Sequence, residues 1–303
     1  MSRTRFAPSP TGLLHVGNAY SALMCESWAK EHQADFILRV EDLDSTRCTE
    51  AKTKQMLDDL AWLGLSFAEE VTYQQHRLPL YQQALQALQT MGVLYPCFCT
   101  RKQIADAIRQ RKTQVESHLE CKQQGKLDIY PETCRTLSQK EVKLQTEKGV
   151  PFSWRLDSKR VAEILEREAL YWLDENGKKH AFCIEQIGDV IVGRKDIKYS
   201  YHLSVVVDDE AQGITHVIRG QDLYSSTPVH RILQMLLGYR RPVYQHHHLL
   251  KDEHNQRLAK TKQSISLKSL REACVSQALF RSICEGETDE VMKQINELLA
   301  STN

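Results

Sequence analysis

The stretch from Thr4 to Asn18 constrains this 303-residue chain most. Thr4-Arg-Phe reads as a short strand, Ala7-Pro-Ser-Pro-Thr-Gly12 as a turn, and His15 as the start of a helix with Val16, Ala19 and Leu23 at helical spacing. Prolines end a strand ladder, and glycine permits a tight bend. The apolar run DFILRV over 35–40 suits a buried parallel strand. A second helix is expected over 50–63, with Met56, Leu57, Leu60 and Leu63 on one side. Strand, helix, strand, helix is the pattern of a doubly wound α/β sheet, which binds ligands beyond the carboxyl ends of its strands. The turn 7–15 lies at such an end.

The rhythm breaks over 97–195, which holds a cysteine cluster, a polar stretch and a small β element around Phe152-Ser-Trp-Arg-Leu. It resumes with LSVVV over 203–207 and ITHVIR over 214–219, followed by a helix over 227–237. The expected organisation is therefore 1–96 as the first half of a Rossmann-type parallel-sheet domain, 97–195 as an inserted subdomain, 196–266 as the second half, and 267–303 as a helical tail packing on that domain. With 41% apolar and 26% charged residues the chain can build a core. No apolar run reaches membrane-spanning length, and the first residues lack a secretory pattern. A cytoplasmic, monomeric protein with no membrane partner is the expectation. The formal net charge of +1 leaves room for a local basic face.

Several residues carry chemistry in their own right. His15 and Gly17 open a helix just after a strand, where backbone amides favour phosphate. Glu41 follows the second strand and suits an ammonium group. Nine cysteines form no regular disulfide framework. Cys97-Phe-Cys99 with Tyr130 and Cys134 leaves two readings open on spacing alone: a zinc site, or reduced, partly buried thiols. His118 and Cys121 lie between as competing ligands. Of His246–His248, at most two side chains of a strand can converge, and packing rather than metal binding is expected.

Arg5-Phe-Ala-Pro-Ser-Pro-Thr-Gly-Leu-Leu-His-Val-Gly-Asn18 resembles the HIGH signature of class I aminoacyl-tRNA synthetases in its glutamyl/glutaminyl form. Asn18 stands where the second histidine is usual. Arg39-Val-Glu-Asp-Leu-Asp44, Gly213-Ile-Thr-His-Val-Ile-Arg-Gly220 and Arg257-Leu-Ala-Lys260 resemble further segments of that family, the last being its KMSKS loop. The resemblance covers residues 5 to about 272. It implies that Arg5, Ala7, Ser9, Glu41, Tyr201 and Arg219 hold L-glutamate, and that His15, Gly17, Asn18 and Lys260 hold ATP with Mg2+. His15 and Lys260 would be catalytic, stabilising charge on the α-phosphate.

Cys97, Cys99, Arg101, Tyr130 and Cys134 are similar to a zinc site in a truncated branch of the family, with one structural Zn2+ held by the three cysteines and Tyr130. That branch lacks an anticodon-binding domain, and here 43 residues follow Lys260. The resemblance implies transfer of glutamate from its adenylate to queuosine in tRNA(Asp). The alternatives are a short enzyme charging tRNA(Glu), or a non-catalytic RNA-binding relic.

Overall fold

The computed structural model describes residues 1–116, 129–250, 265–286 and 288–301. In chain order the strands are β1 (Arg3–Phe6), β2 (Asp35–Val40), β3 (Thr72–Tyr73), β4 (Leu94–Cys97), β5 (Ser153–Leu156), β6 (Tyr171–Asp174), β7 (Lys179–Ala181), β8 (Ile191–Arg194), β9 (Lys198–Tyr199), β10 (His216–Gly220) and β11 (Val243–His247). The helices are α1 (Val16–Glu31), α2 (Glu50–Trp62), α3 (Leu78–Thr90), α4 (Arg101–Glu116), α5 (Gln139–Glu147), α6 (Ser158–Ile164), α7 (Ile184–Ile187), α8 (Tyr201–Ala211), α9 (Thr227–Leu237), α10 (Leu267–Glu272), α11 (Gln277–Cys284) and α12 (Thr288–Ser301).

β1, β2 and β3 pair in parallel, as do β10, β11 and β6. The two groups meet where the Thr215 amide donates to the Arg3 carbonyl (3.0 Å). The Cys25 thiol lies 3.6 Å from the Arg5 carbonyl and 3.5 Å from that of Ile218, spanning β1 and β10 from α1. The carboxyl ends of β1, β2, β10 and β11 therefore share one rim. The parallel α/β sheet expected from the sequence is present, and β1 and β2 fall where the apolar runs placed them.

Two sequence expectations change. The segment 203–207 sits inside helix α8, not in a strand. Ser200 caps it by accepting from the Leu203 amide (3.3 Å), and the helix is buried on nearly every side. A helix buried all round has no polar stripe to betray its period, so three successive valines look like a strand. The stretch 97–195 also divides in two. β4, β5, β8 and β9 form an antiparallel sheet of their own, whereas β6 and β7 join the sheet of β10 and β11.

The tail packs on the α1 side of the sheet as three helices. Leu267, Leu270, Phe280, Ile283, Val291 and Ile295 enter the core that holds Val16, Ala22, Leu38 and Leu60. Polar contacts fix the docking. Arg271 reaches Asp59 at 2.5 Å, and Gln277 and Arg281 donate to the Leu63 carbonyl at 2.8 and 2.7 Å. Gly64 turns the end of α2 with φ +68°, and the Gln277 amide occupies the space a side chain would fill. No helix among the described residues is long and apolar enough to cross a membrane.

Phe280 is fully buried against α2, with its ring 5.9 Å from that of Trp62. Replacing it with alanine is expected to destabilise the protein by about 3–5 kcal/mol, the usual cost of removing a core aromatic ring. Urea unfolding measures this, and a loss under 1 kcal/mol would mean the tail is not part of the core.

Candidate active site

A cavity of about 510 Å³ opens at the shared rim. Arg5, Ala7, Ser9, Glu41, Tyr201 and Arg219 all line it, and so do His15, Gly17 and Asn18. Each arrives by a short path: Arg5 from β1, Glu41 from the residue after β2, Tyr201 from the first turn of α8 and Arg219 from β10. Lys260 lies outside the described residues, as do His118 and Cys121.

The loop between β1 and α1 is held from both sides. The Asn18 side chain accepts from the His15 amide (3.3 Å), so Asn18 caps the helix from its third position. The Val16 amide donates to the Ile265 carbonyl (3.0 Å) and the Leu267 amide to the Leu14 carbonyl (2.9 Å). The segment after residue 264 is thereby tied to the His15 loop. A side chain at Gly17 would come within 3.1 Å of the His15 ring, so glycine lets the imidazole fold back over the helix start.

Beneath the cavity lies a buried charge network. Arg5 Nε donates to Asp209 Oδ1 (2.9 Å), and Arg39 Nη1 reaches the same oxygen (2.9 Å) and Gln212 Oε1 (2.7 Å). Asp208 accepts from Gln74 (2.9 Å), Arg77 (2.6 Å) and Tyr81 (2.9 Å). Burial works against charge on Asp209, but Arg5 and Arg39 outweigh it and hold its carboxyl below the usual range. Glu41, 4.0 Å from Arg39, is pushed up to about 7 because burial exceeds the pull of Arg39 and Arg5.

Arg219 differs from the other arginines of the cavity. It donates to His246 Nε2 (3.3 Å), His230 Nδ1 (3.0 Å), the Leu223 carbonyl (3.2 Å) and Thr227 Oγ1 (2.8 Å). All are neutral acceptors. His230 is driven well below its ordinary value, and His246 down to about 3, in both cases by burial first and then by the Arg219 charge. His230 then carries its proton on Nε2, facing His202 Nδ1 at 3.1 Å. Among the described residues, no carboxylate pairs with Arg219.

The geometry separates the two arginines expected to hold glutamate, Arg5 and Arg219. Arg5 is engaged with Asp209, while Arg219 keeps its charge uncompensated and one Nη1–H unclaimed. Two parallel bonds to a ligand would require Arg219 to release a present partner.

Sequence reasoning did not assign Arg39, Asp208, Asp209, Thr227 or His230. Arg39, the only cation in DFILRV, and the two acids ending a valine run were the available signals, since a buried charge needs a partner.

A second constellation lies at the tip of β4. The sulfurs of Cys97, Cys99 and Cys134 lie within 4.8 Å of one another. The Tyr130 hydroxyl is 3.3 Å from Cys97 Sγ and 3.5 Å from Cys99 Sγ, and Arg155 stacks over the Tyr130 ring at 3.7 Å. Cys97 is held down to about 4, first by the hydrogen bond from Cys134, then by Tyr130 and Arg155. Three thiols this close could hold a metal ion. Among His246–His248, His246 packs on Arg219 and His247 on Ser21 (3.0 Å), a packing role as expected.

Glu41 is the carboxylate that the cavity leaves half-ionised at neutral pH. Carbon-13 NMR of glutamate-labelled protein should show one side chain titrating near pH 7, absent in Glu41→Gln. Titration of every glutamate near its ordinary value would contradict this electrostatic picture.

The family model for tRNA synthetases class I (E and Q), catalytic domain, matches residues 1–296. A glutamyl-Q tRNA(Asp) synthetase of Rhodobacter capsulatus is 37% identical over 298 residues, covering 92% of this chain and 98% of that protein. A glutamate–tRNA ligase of Coprothermobacter proteolyticus is 34% identical over 92% of this chain but only 56% of its own length. The crystal structure of glutamate–tRNA synthetase from Elizabethkingia anophelis superposes with a TM-score of 0.68 at 26% identity, over 86% of this chain and 52% of that one. This chain thus spans about half the length of the glutamate–tRNA ligases it matches.

Proposed function

We propose, from the premise that this chain belongs to the class I (E and Q) tRNA synthetase family, that it activates glutamate with ATP and passes the glutamyl group to queuosine in tRNA(Asp). The observation that carries the reading is Arg219: a buried guanidinium, surrounded by neutral acceptors, at the wall of a cavity that also holds Glu41 and the His15 loop. An anion is the ligand that relieves such a charge. The 37% identity to the Rhodobacter capsulatus glutamyl-Q tRNA(Asp) synthetase over 92% of this chain supports the queuosine acceptor over tRNA(Glu).

In this mechanism the γ-carboxylate of glutamate meets Arg219, and Glu41 takes the ammonium group in its ionised form. Arg5, Ala7, Ser9 and Tyr201 complete the wall around the amino acid. ATP, with Mg2+, lies over the start of α1, where Gly17 and the helix amides face its phosphates and His15 donates to an α-phosphate oxygen. The α-carboxylate attacks the α-phosphorus in line and pyrophosphate leaves. Lys260 stabilises the charge that develops. A queuosine hydroxyl then attacks the adenylate carbonyl and AMP departs. Because Glu41 is protonated below about pH 7, capture of the ammonium group strengthens as pH rises through that value.

The test is transfer of labelled glutamate to tRNA(Asp) with and without queuosine, followed by removal of the 3′-terminal adenosine. Label should require queuosine and survive the removal. Label lost with the adenosine, or accepted by tRNA(Glu), would overturn the acceptor.

We also assign one structural Zn2+ to Cys97, Cys99, Cys134 and Tyr130. Zinc–sulfur bonds of about 2.3 Å in a tetrahedron separate sulfurs by about 3.8 Å, and the Cys99 and Cys134 sulfurs are 3.4 Å apart. The donor set therefore fits, and the ion would crosslink β4 to the 130–134 turn. Elemental analysis should give about one zinc per chain, falling to near zero in Cys99→Ser. Full retention of zinc in that variant would sink the assignment.

A further inference from the structure

A second groove, of about 520 Å³, lies between the antiparallel sheet and α3, and its walls combine aromatic rings with cations. Phe152, Trp154 and Tyr199 supply the rings, and Arg194, Lys195 and Lys198 from the β8–β9 hairpin supply the charge. Among the described residues, no acidic side chain lines it. We propose that this groove holds one nucleotide of a bound RNA, its base against Trp154 and its phosphate on Lys195 and Lys198. The inference rests on the reading above only for the identity of the RNA.

Three observations favour such an occupant. Trp154 lies against the bare backbone of Gly193, where a β-carbon would come within 2.9 Å of the indole. The ring is thus placed before any ligand arrives, and it is only half-buried. Phe152 meets Trp154 edge-on at 5.0 Å and Phe98 at 5.5 Å, so the rings form a braced ladder. Lys198 adopts φ +66°, a conformation unusual for a long side chain, and forms no ion pair among the described residues. Arg194 is paired with Asp196 and Lys195 Nζ reaches the Cys99 carbonyl (3.5 Å), but neither Lys195 nor Lys198 forms an ion pair among the described residues, and stacking rings beside such lysines suit single-stranded nucleic acid, because every base has a stacking face and every linkage a charge.

Tyr199 lines this groove, and Tyr201, two residues on, lines the active-site cavity. The groove therefore adjoins the active-site rim. A nucleotide held here would anchor the strand while a neighbouring one reaches the cavity.

The test uses the full chain without glutamate or ATP, so it reads independently of amino-acid activation. A fluorescein-labelled anticodon stem–loop RNA is titrated at several salt concentrations into wild type, the Lys195→Ala/Lys198→Ala double variant and Trp154→Leu. The double variant should bind about 10-fold more weakly, with the slope of log affinity against log salt reduced by about 1.4, as expected for two lost contacts to a single strand. Trp154→Leu should weaken binding about 10-fold with the slope unchanged, the signature of lost stacking. Glutamate-dependent pyrophosphate exchange should stay within about twofold in the lysine variant. Wild-type affinity and slope in the lysine variant would overturn the proposal. Displacement of the RNA by AMP at concentrations equal to those of the stem–loop would show a mononucleotide site and overturn the RNA assignment.

Discussion

One carboxylate organises the catalytic half of the molecule. Asp209, at the end of α8, receives Arg5 from β1 and Arg39 from β2 on the same oxygen, and so ties two adjacent strands to the helix beneath them. Ion pairs this deep add little net stability, because desolvation offsets most of the attraction, but removing one partner costs about 3–5 kcal/mol. Their consequence is orientation. With Arg5 and Arg39 spoken for, the positive charge left at the cavity wall among the described residues is that of Arg219, and His230 and His246 are held neutral by burial beside it. The same crowding keeps Glu41 only partly ionised near neutrality. The cavity is poised for a ligand with both carboxylate and ammonium groups.

Much of this was legible in the residues. The βα unit through His15, the second strand and the second helix follow from apolar spacing and turn chemistry, and the structure repeats them within a residue or two. The nine described residues assigned to substrates share one cavity because each sits near a carboxyl end of a parallel strand or at the start of a helix, positions a sequence marks well. The buried supports were less visible. Period cannot separate strand from helix in an element buried all round, so α8 read as a strand. The pairings of Asp208, Asp209, Arg39 and His230 span more than one hundred residues, or depend on helix faces that the wrong period conceals.

The inserted region shows the same division between local and distant information. The grouping of the C-x-C pair with Tyr130 and Cys134 was expected from the family resemblance rather than from spacing, and the fold does bring the Tyr130 hydroxyl and the Cys134 sulfur to it. The β6–β7 hairpin lies within the inserted stretch of sequence yet completes the catalytic sheet, through pairing of Leu173 and Asp174 with β11. Phe98, between two of the thiols, leads through Phe152 to Trp154, so the cysteine cluster and the basic groove share one aromatic brace.

The central claim is that the uncompensated charge of Arg219 selects an acidic amino acid. It is tested most directly by amino-acid-dependent pyrophosphate exchange with glutamate and with glutamine, in wild type and in Arg219→Leu. Wild type should prefer glutamate by about 10⁴-fold, as sites built around a specific polar partner do. The variant should lose about 10²-fold or more in kcat/KM for glutamate while its glutamine rate stays within a few-fold. A variant that keeps the full preference for glutamate would contradict the account.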